Sequence, residues 1–396
     1  MIVEMDSELQ GVTLITGAMD GDRTKPLDES SLERLNQFCK RHFIPLLIEA
    51  DGSRQKPLKA WANHEPPIPP FVDQVALVVG LEGIGKPLND EFVHRAEIFS
   101  RLSDLKMGES VSAEALTRVL IHPEGGQKNI PPNARRVALL NQADTAELQS
   151  SAHGMAHDLL SSFHSVVIAS LKQKKIYAAH EPVAGIILAA GGASRFGSSK
   201  QLLDWKGQPF VRAVAKTALE AGLSPVIVVV GASAEQVEAA VKGLNVRIVR
   251  NGEWKSGQGS SIKVGMKALT QPPPSLRDTS PIPLRRDGGG WEGVGAAIFL
   301  LVDQPQVNTS ILRALVEKHA EGLYPIVAPM VIDRRANPVL FDRVAFPDLM
   351  TLEGDVGGRA IFHKHRVEYL PWHDDRLLLD VDTPEQYQRL ISDDSL

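Results

Sequence analysis

Cysteine is almost absent from this sequence, and its scarcity excludes a fold held together by disulfides. The 396 residues include a single cysteine, Cys39, which has no partner for an internal bridge. Low cysteine use is typical of proteins from reducing compartments. Because Cys39 lies in a segment predicted to be helical, we expect it to be a buried structural thiol.

Long apolar runs and a large surplus of charge are missing as well. No run approaches the roughly 18 apolar residues that a membrane span requires. The first ten residues are acidic, unlike those of a signal peptide. The formal net charge of −5 indicates no basic surface for nucleic acid. We therefore expect a cytoplasmic protein without a membrane or nucleic-acid partner.

The chain is long enough for two domains, since domains commonly hold about 100–200 residues. Its hydrophobic content of 43% is ordinary for a globular protein with sizeable cores. The segment Leu171–Glu181 is charged and lacks an apolar stripe, so we interpret it as a connector. This predicts a first domain over residues 1–175 and a second over residues 183–396.

The most informative stretch runs from Ile187 to Leu203. An apolar run, Val183–Ala190, leads into it and predicts a buried strand of a parallel sheet. The chain then becomes small and rich in glycine, which lets backbone N–H groups converge on an anion. Arg195 and Lys200 add two positive charges. The sequence therefore predicts a phosphate-binding loop after this strand.

This loop matches neither of the two commonest phosphate-binding patterns. Gln201 follows Lys200 where the Walker pattern requires Ser or Thr, and the glycines do not form G-x-G-x-x-G. The loop resembles the signature L-A-A-G-x-S-x-R-x-G-x-x-K of the MobA-like nucleotidyltransferases, with its serine displaced by one position. The resemblance implies that the nucleotide is bound by Leu188, Ala189, Ala190, Gly191, Gly192, Ser194, Arg195 and Lys200.

Apolar strands and amphipathic helices alternate through the second domain. Strands are predicted at 225–230, 246–249, 295–302 and 325–332, and helices at 210–221, 234–241, up to Leu269 and from Pro384. This alternation predicts an α/β fold with a doubly wound, mostly parallel, Rossmann-like sheet and ligands at the carboxyl ends of its strands. Residues 271–291 have no periodic apolar pattern and predict a surface loop.

Two acidic motifs in this domain resemble the family's metal-binding segments. Asp303-Gln304-Pro305 ends an apolar strand, and Asp382 lies in V-D-T-P-E. The resemblance implies that Asp303 and Asp382 bind Mg²⁺, an ion that favours few carboxylates together with substrate phosphates. Two alternatives stay open: Asp303 could cap a helix, and one of the two acids could only hold a turn.

Other loops resemble the family's base and acceptor segments. The loop 251–261 is similar to N-x-x-W-x-x-G-x-x-x-S, which implies that Asn251, Ser260 and Ser261 bind the nucleotide. Ser260 or Ser261 could instead cap the next helix. The segments A-N-P-V-L-F and G-D-V-G-G-R resemble the acceptor side, although Ala336 stands where many members have glycine. The implied acceptor-side residues are Asn337, Pro338, Asp355, Gly357 and Gly358.

The first domain also alternates strand and helix, which predicts a second, smaller α/β domain. Strands are predicted at Val12–Thr16, Phe43–Glu49, Gln74–Gly80 and Arg136–Asn141, and a helix at Leu32–His42 with Ser30 or Ser31 as its cap. Glu49 and Asp51 are interpreted either as metal-facing acids after a strand or as part of a capped turn. Asn141 and Asp144 suit either a purine base or the start of a helix.

Six phrases in this domain resemble the YqeC-like accessory proteins of selenium-dependent molybdenum hydroxylases. They are E-A-D-G-S-R at 49–54, K-P-L-K at 56–59, H-E-P at 64–66, G-K-P-L-N at 85–89, V-H-R at 93–95 and N-Q-A-D at 141–144. That family begins with a Gly-Lys-Thr phosphate loop, and no G-K-[ST] precedes Thr24. We expect a domain without this loop, either truncated or folded but unable to hydrolyse nucleotide, and assign it no catalysis.

Together the two resemblances imply a CTP:molybdopterin cytidylyltransferase that serves a molybdenum hydroxylase. The acceptor phosphate would attack the α-phosphorus of CTP and release pyrophosphate, with Arg195, Lys200 and Asp303 as catalytic residues. Ala190 gives the family's L-A-A-G form, which is similar to cytidylyltransferases. Two alternatives stay open: a nucleotidyltransferase acting on a sugar or polyol phosphate, and a non-catalytic chaperone that delivers a finished cofactor.

Overall fold

The computed structural model describes residues 13–21, 23–132, 134–192, 199–270 and 293–393. The chain divides into two compact units, residues 1–52 and residues 53–396. In these described ranges, no helix combines the length and the apolar character needed to cross a membrane.

The described part of the first unit, residues 13–21 and 23–52, contains a short hairpin and one helix. Its elements are β1 (Met19–Asp20), β2 (Arg23–Thr24) and α1 (Glu29–His42). The helix α1 ends at His42 as predicted but begins three residues earlier than predicted, at Glu29. Its cap is Asp28, whose carboxylate accepts from the backbone N–H of Ser31 at 2.9 Å. The predicted caps, Ser30 and Ser31, donate their hydroxyls to the same carboxylate. Cys39 is buried in α1, as predicted.

Two strands predicted in the first unit are wrong. Residues 13–16 and 43–49 form no strand, and Phe43 and Leu47 are each 94% exposed. Phe43 instead ends α1 in the left-handed region, with φ of 56°. An apolar run becomes a strand only where a neighbouring strand takes up its backbone hydrogen bonds. Glu49 and Asp51 therefore do not follow a strand.

The second unit begins with a four-stranded sheet and three helices. The elements are β3 (Leu58–Lys59), β4 (Gln74–Gly80), β5 (Val93–His94), α2 (Ala96–Ser103), α3 (Ala113–Ile121), β6 (Arg135–Asn141), α4 (Ala146–Leu159), β7 (Ser165–Ser170) and β8 (Lys175–His180). The sheet has the order β4-β6-β7-β8, with the first three strands parallel. A separate parallel pair joins β3 to β5. The predicted strands at 74–80 and 136–141 are confirmed.

The prediction that Leu171–Glu181 is a connector is wrong, because most of this segment forms strand β8. This strand pairs antiparallel with β7 and buries Ala178 and His180. Its first residues, Lys175 and Ile176, are exposed at the edge of the sheet. Because this edge strand begins with a charged, exposed residue, apolar periodicity alone does not predict it.

An eight-stranded mixed sheet forms the rest of the second unit. Its strands and the accompanying hairpin are β9 (Val183–Ala189), β10 (Asp204–Trp205), β11 (Gln208–Pro209), β12 (Val226–Val230), β13 (Arg247–Arg250), β14 (Ala296–Leu301), β15 (Ile326–Val331), β16 (Arg334–Arg335), β17 (Val339–Asp342) and β18 (Val367–Pro371). The α-helices are α5 (Phe210–Glu220), α6 (Ala234–Ala240), α7 (Gln258–Leu269), α8 (Thr309–Gly322), α9 (Phe346–Leu349) and α10 (Pro384–Asp393). Short 3₁₀ helices lie at Leu81–Gly83, Lys200–Leu202, Trp254–Ser256, Arg343–Ala345, Gly358–Lys364 and Asp375–Leu378.

The strand order β13-β12-β9-β14-β17-β15-β16, with β18 beside β15, confirms the doubly wound α/β fold. Strands β13, β12, β9 and β14 are parallel, and β17 runs against its neighbours. Side chains alternate between two cores: Ile187 packs on the side of α5, α6 and α8, and Ile186 on the side of α7 and α9. Residues 271–292 lie outside the described residues, so the predicted loop there stays a prediction.

Both sheets lie within the second unit and are linked by ion pairs to Glu181. Its carboxylate accepts from the guanidinium of Arg135, at the start of β6, and from that of Arg343 at 2.8 Å. The predicted division of the chain at residues 175–183 stays a prediction.

Candidate active site

The predicted nucleotide site lies at one edge of the eight-stranded sheet. In parallel strands the carboxyl ends meet at the same edge, so the residues after β9, β12, β13 and β14 are neighbours. Ala190, Gly231, Asn251 and Asp303 follow these strands. The carbonyl of Ala190 accepts from Ala232 N, and the N–H of Asn251 donates to Val230 at 2.8 Å. The sheet thus brings residues from distant motifs to the same side of the domain, at the carboxyl ends of its parallel strands.

Lys200 joins the two predicted metal ligands. Its Nζ donates to Asp303 Oδ2 at 3.1 Å and to Asp382 Oδ1 at 2.7 Å. The side chains of Lys200, Asp303 and Asp382 are 24%, 21% and 47% exposed, so the cluster is open on one side. The structure therefore brings together three residues that lie far apart in the sequence.

The electrostatics of this cluster favour a bound cation. Desolvation opposes the charge of Lys200, but the carboxylates of Asp303 and Asp382 outweigh it and raise the pKa of the lysine. Desolvation, followed by the charge of Asp303, raises the pKa of the neighbouring Asp380 above the usual carboxyl range. The raised pKa of Lys200 reflects two carboxylates around one ammonium, and the charge of Asp303 adds to the effect of burial on Asp380.

Two buried glutamines hold the segment of Asp382 against the end of β14. Gln304 Nε2 donates to Asp380 Oδ1 at 2.7 Å, and Gln306 Nε2 donates to the carbonyl of Leu379 at 2.7 Å. The backbone N–H of Val381 also donates to the carbonyl of Asp303 at 3.2 Å. These bonds place Asp382 opposite Asp303.

A capping box starts the helix that follows Asp382. Gln386 Oε1 accepts from the N–H of Thr383 at 2.9 Å, and Thr383 Oγ1 accepts from the N–H of Gln386 at 3.3 Å. The predicted start of α10 at Thr383-Pro384 is confirmed. Asp303 caps no helix, because α8 is capped by Asn308. That leaves the carboxylate of Asp303 facing Lys200.

Gln201 is a positioning residue that the sequence reasoning missed. Its side chain is buried, and Nε2 donates to the carbonyls of Ala189 at 3.2 Å and Gly191 at 2.6 Å. Its Oε1 accepts from the hydroxyl of Ser199. Gln201 thus ties the end of β9 to the residue before Lys200. The available signal was a polar residue next to Lys200 in an otherwise apolar segment.

The base-side loop is built around Asn251. Asn251 Nδ2 donates to the hydroxyls of Ser260 at 2.8 Å and Ser261 at 3.0 Å. The interpretation of either serine as a helix cap is wrong, because α7 begins at Gln258 with Gly257 before it. Trp254 packs close beside Gly192, where a Cβ would lie 2.9 Å from the indole ring.

The predicted acceptor-side residues form a neighbouring group. Asn337 Oδ1 accepts from the guanidinium of Arg359 at 3.3 Å. Arg359 belongs to the 3₁₀ helix that begins at Gly358. Asp355 is exposed and lies beside the start of α7, where its Oδ1 accepts from Gln258 N at 3.4 Å. Pro338 is buried, and Gly357 lies next to Gln258. Their role toward an acceptor stays a prediction.

The donor set fits a divalent cation, although the predicted loop is only partly described. Ser194 and Arg195 lie outside the described residues. Within the described ranges, no three His, Cys, Asp or Glu side chains form a group that could hold a metal ion. The carboxylates of Asp303 and Asp382 nevertheless both contact the ammonium of Lys200, so these two carboxylates already hold one positive charge. Oxygen ligands from two carboxylates suit Mg²⁺ when substrate phosphates complete its shell.

Comparison with known proteins finds a family for each half of the chain. The MobA-like NTP transferase domain family matches residues 185–369, and the YqeC protein family matches residues 2–97. Nicotine blue oxidoreductase from Paenarthrobacter nicotinovorans is 30% identical over 218 residues, which are 53% of this chain and 96% of that protein.

Two further similarities concern the two halves of the chain. The uncharacterized protein YqeC from Escherichia coli K12 is 38% identical over 102 residues, 26% of this chain, and the match spans 40% of that protein. The crystal structure of Rv0371c from Mycobacterium tuberculosis H37Rv is 28% identical, covers 53% of this chain and 98% of that chain, and has a TM-score of 0.42.

Proposed function

Because this chain belongs to the MobA-like NTP transferase family, we propose that it transfers CMP from CTP to the phosphate of molybdopterin and releases pyrophosphate. The chain is a nucleotidyltransferase, and the identity of both substrates is the proposal. We place the reaction in the cytoplasm, with a molybdenum hydroxylase as the recipient of the product.

One observation carries the proposal: the carboxylates of Asp303 and Asp382 both accept from the ammonium of Lys200. In nucleotidyl transfer, negative charge builds up on the leaving pyrophosphate, so positioned positive charge stabilises the transition state. Lys200 supplies one such charge at the edge where phosphates would bind. Asp303 and Asp382 would hold Mg²⁺, which when bound neutralises charge on the phosphate oxygens.

The remaining site residues are assigned to the two substrates. The backbone of residues 188–192 and the predicted cations Arg195 and Lys200 would bind the triphosphate, and Asn251, Ser260 and Ser261 would border the nucleoside. Ala190, in the L-A-A-G form of the loop, supports cytidine. The acceptor would lie against Asn337, Pro338, Asp355, Gly357 and Gly358, where Arg359 offers a guanidinium for its phosphate.

The decisive experiment measures pyrophosphate release by the full chain with Mg²⁺ and molybdopterin. We expect turnover with CTP, and much less with GTP or UTP. Matched reactions replace molybdopterin by a sugar phosphate or a polyol phosphate. Faster turnover with one of these acceptors would contradict the assignment of molybdopterin, and the absence of pyrophosphate with every pair would favour a carrier that only delivers a cofactor.

A redox activity is the second candidate, because the relative at 30% identity is named an oxidoreductase. Hydride transfer requires no pair of carboxylates around a lysine, whereas phosphoryl chemistry uses such groups. The two candidates are separated by offering reduced nicotinamide dinucleotides and an oxidised dye. Oxidation of the dinucleotide without pyrophosphate release from any nucleotide would favour the redox activity.

A further inference from the structure

The four-stranded sheet has one face that is covered by helices. Residues that are paired between neighbouring strands lie on the same face, and successive residues of one strand alternate between the two faces. One row of paired residues across the sheet consists of Val79, Leu140, Ile168 and Ala178. All four are buried in the core that the sheet forms with α2, α3 and α4.

The opposite face of this sheet is open. Its central row of paired residues consists of Val78, Leu139, Val167 and Ala179. Val78 is 57% exposed, and the other three are half-buried. On the same face, Ile176 of β8 is 68% exposed. Because Val78 and Ile176 lie on the two outer strands, β4 and β8, the face is open across its whole width.

The eight-stranded sheet of the same chain shows what usually happens to such strands. In β9, Ile187 is buried in the core on one face and Ile186 in the core on the other. Sheets of parallel strands are generally covered on both faces. In the described part of the chain, the open face of the four-stranded sheet belongs to no such core. We therefore expect a second layer to cover it.

The composition of the open face indicates the kind of layer that fits. Its apolar side chains are those of Ala76, Val78, Val137, Leu139, Val167, Ile176 and Ala179. At its amino end lie Gln74 and Arg135, and the guanidinium of Arg135 donates to the carboxylate of Glu181. A partner with charged contact residues would lose their hydration here without gaining an ion pair. A second apolar face of the same kind carries no such cost.

We propose that the open faces of two copies of this chain pack against each other across a two-fold axis. Such an axis brings the same patch of each copy together, so apolar rows meet apolar rows. Two sheets with the same twist pack with their strands nearly aligned, about 10 Å apart. This interface does not depend on the proposed transferase reaction.

The size of the open face predicts the strength of the dimer. Four strands about 4.8 Å apart and about six residues long give each face roughly 400 Å². This is about half of the roughly 800 Å² that each partner contributes to a standard interface. The face would thus form the apolar centre of the interface, with polar residues such as Gln74 at its rim. We therefore expect a weak dimer, with a Kd in the micromolar range.

The test is sedimentation velocity of the full chain at concentrations from about 1 to 100 µM, which span the expected Kd. We expect the sedimentation coefficient to rise from that of a monomer to that of a dimer. Val78→Asp and Ile176→Asp, on opposite edges of the face, should each raise Kd by about tenfold or more, because a carboxylate would be desolvated in an apolar interface. Val344→Asp is the matched control, since Val344 is also 57% exposed but lies in the 3₁₀ helix Arg343–Ala345.

Two further measurements make the result decisive. Urea denaturation of each variant shows whether the single chain still folds, and Val78→Thr, which keeps the shape of the side chain, should weaken the dimer less than Val78→Asp does. High salt should leave the dimer intact, because ions screen charged contacts and not apolar ones.

Three results would overturn the proposal. A monomer at every concentration would leave the open face to a different protein. A dimer that both Val78→Asp and Ile176→Asp leave unchanged would place the interface on another surface. Equal weakening by Val344→Asp would assign the effect to added charge and not to the open face.

Discussion

The two charged clusters of the second unit are opposites. Beside the eight-stranded sheet, one cation, Lys200, lies between two carboxylates, whereas beside the four-stranded sheet one carboxylate, Glu65, lies between two cations. Both clusters lie at carboxyl ends of parallel strands. Two carboxylates around one ammonium suit a cation bound together with phosphates, whereas the buried ion pairs of Glu65 join its loop to Lys59 in β3 and to Arg95 after β5.

The largest expected effect comes from removing one carboxylate of the first cluster. We expect Asp303→Asn to lower kcat for pyrophosphate release by about 10² or more, as for other losses of one transition-state stabiliser. Asp375→Asn is the matched control, because Asp375 is exposed and lies in the neighbouring 3₁₀ helix. Near-normal turnover of Asp303→Asn would remove this residue from the mechanism.

The two clusters should contribute differently to the free energy of unfolding, because one is more deeply buried than the other. Glu65→Gln removes the carboxylate that Lys59 and Arg95 both contact, so we expect the free energy of unfolding to fall by about 1–3 kcal/mol. Asp382→Asn should change it by less than about 1 kcal/mol, because an exposed ion pair contributes little. Urea denaturation of both variants measures the difference. Equal losses would show that burial does not distinguish the clusters.

A smaller effect is expected from Gln201, which joins the end of β9 to Ser199, the two segments that flank the predicted phosphate loop. Gln201→Leu removes the bonds to Ala189 and Gly191, and we expect the KM for CTP to rise by about tenfold with a smaller change in kcat, the loss of about one well-placed hydrogen bond. Gln149→Leu is the control, since Gln149 also donates to a backbone carbonyl, that of Ala143, in the other sheet. An equal rise of KM in both variants would assign the effect to general destabilisation.

Mild acid should act on neither cluster but on the histidines near β8. Burial, followed by the charges of His153 and His319, lowers the pKa of His180 to about 4. Between the ordinary histidine pKa and this value the unfolded chain binds the proton and the folded chain does not, so stability falls with pH in that window. We expect a loss of about 2 kcal/mol by pH 5, which is roughly 1.4 kcal/mol for each pH unit below the ordinary histidine pKa. Glu65, whose pKa is lowered to about 2 by Arg95 and Lys59 against the opposing desolvation, keeps its charge there.

The control for the acid effect is His180→Gln. In this variant the free energy of unfolding should depend less on pH between about 4, the folded pKa of His180, and about 6.5, the ordinary histidine pKa. An unchanged slope in this variant would assign the effect to other groups, such as His164, whose pKa burial also lowers to about 4.

Apolar patterns in the sequence were sufficient to predict most strands of the eight-stranded sheet. The strands at 183–190, 225–230 and 295–302 are continuous apolar runs, and they form β9, β12 and β14 because parallel strands are buried on both faces. The same rule failed at Phe43–Glu49, where no neighbouring strand pairs with the run, and missed β8, whose exposed start is charged. In both segments, the presence or absence of a neighbouring strand, and not the local composition, determined whether a strand formed.

The candidate site was predictable in its parts but not in its connections. The motif resemblance indicated Lys200, Asp303 and Asp382 separately, because each lies in a recognisable phrase. The ion pairs that join them, and the bonds of Gln201 and Gln304, depend on tertiary contacts between residues far apart in the chain. The sequence reasoning assigned no role to Asp380, although it lies two residues before Asp382, a spacing that places both on one side of an extended segment.

The most direct test of the central claim, that Asp303 and Asp382 close around a single divalent cation, is the binding of Mn²⁺ measured by electron paramagnetic resonance in the presence of CTP. We expect saturable binding by the unchanged chain and by Asp375→Asn, and a loss of at least about tenfold in affinity when Asp303→Asn and Asp382→Asn are combined, since Mn²⁺ prefers carboxylate oxygens. Mn²⁺ affinity that is the same in the double variant and the unchanged chain would contradict the claim.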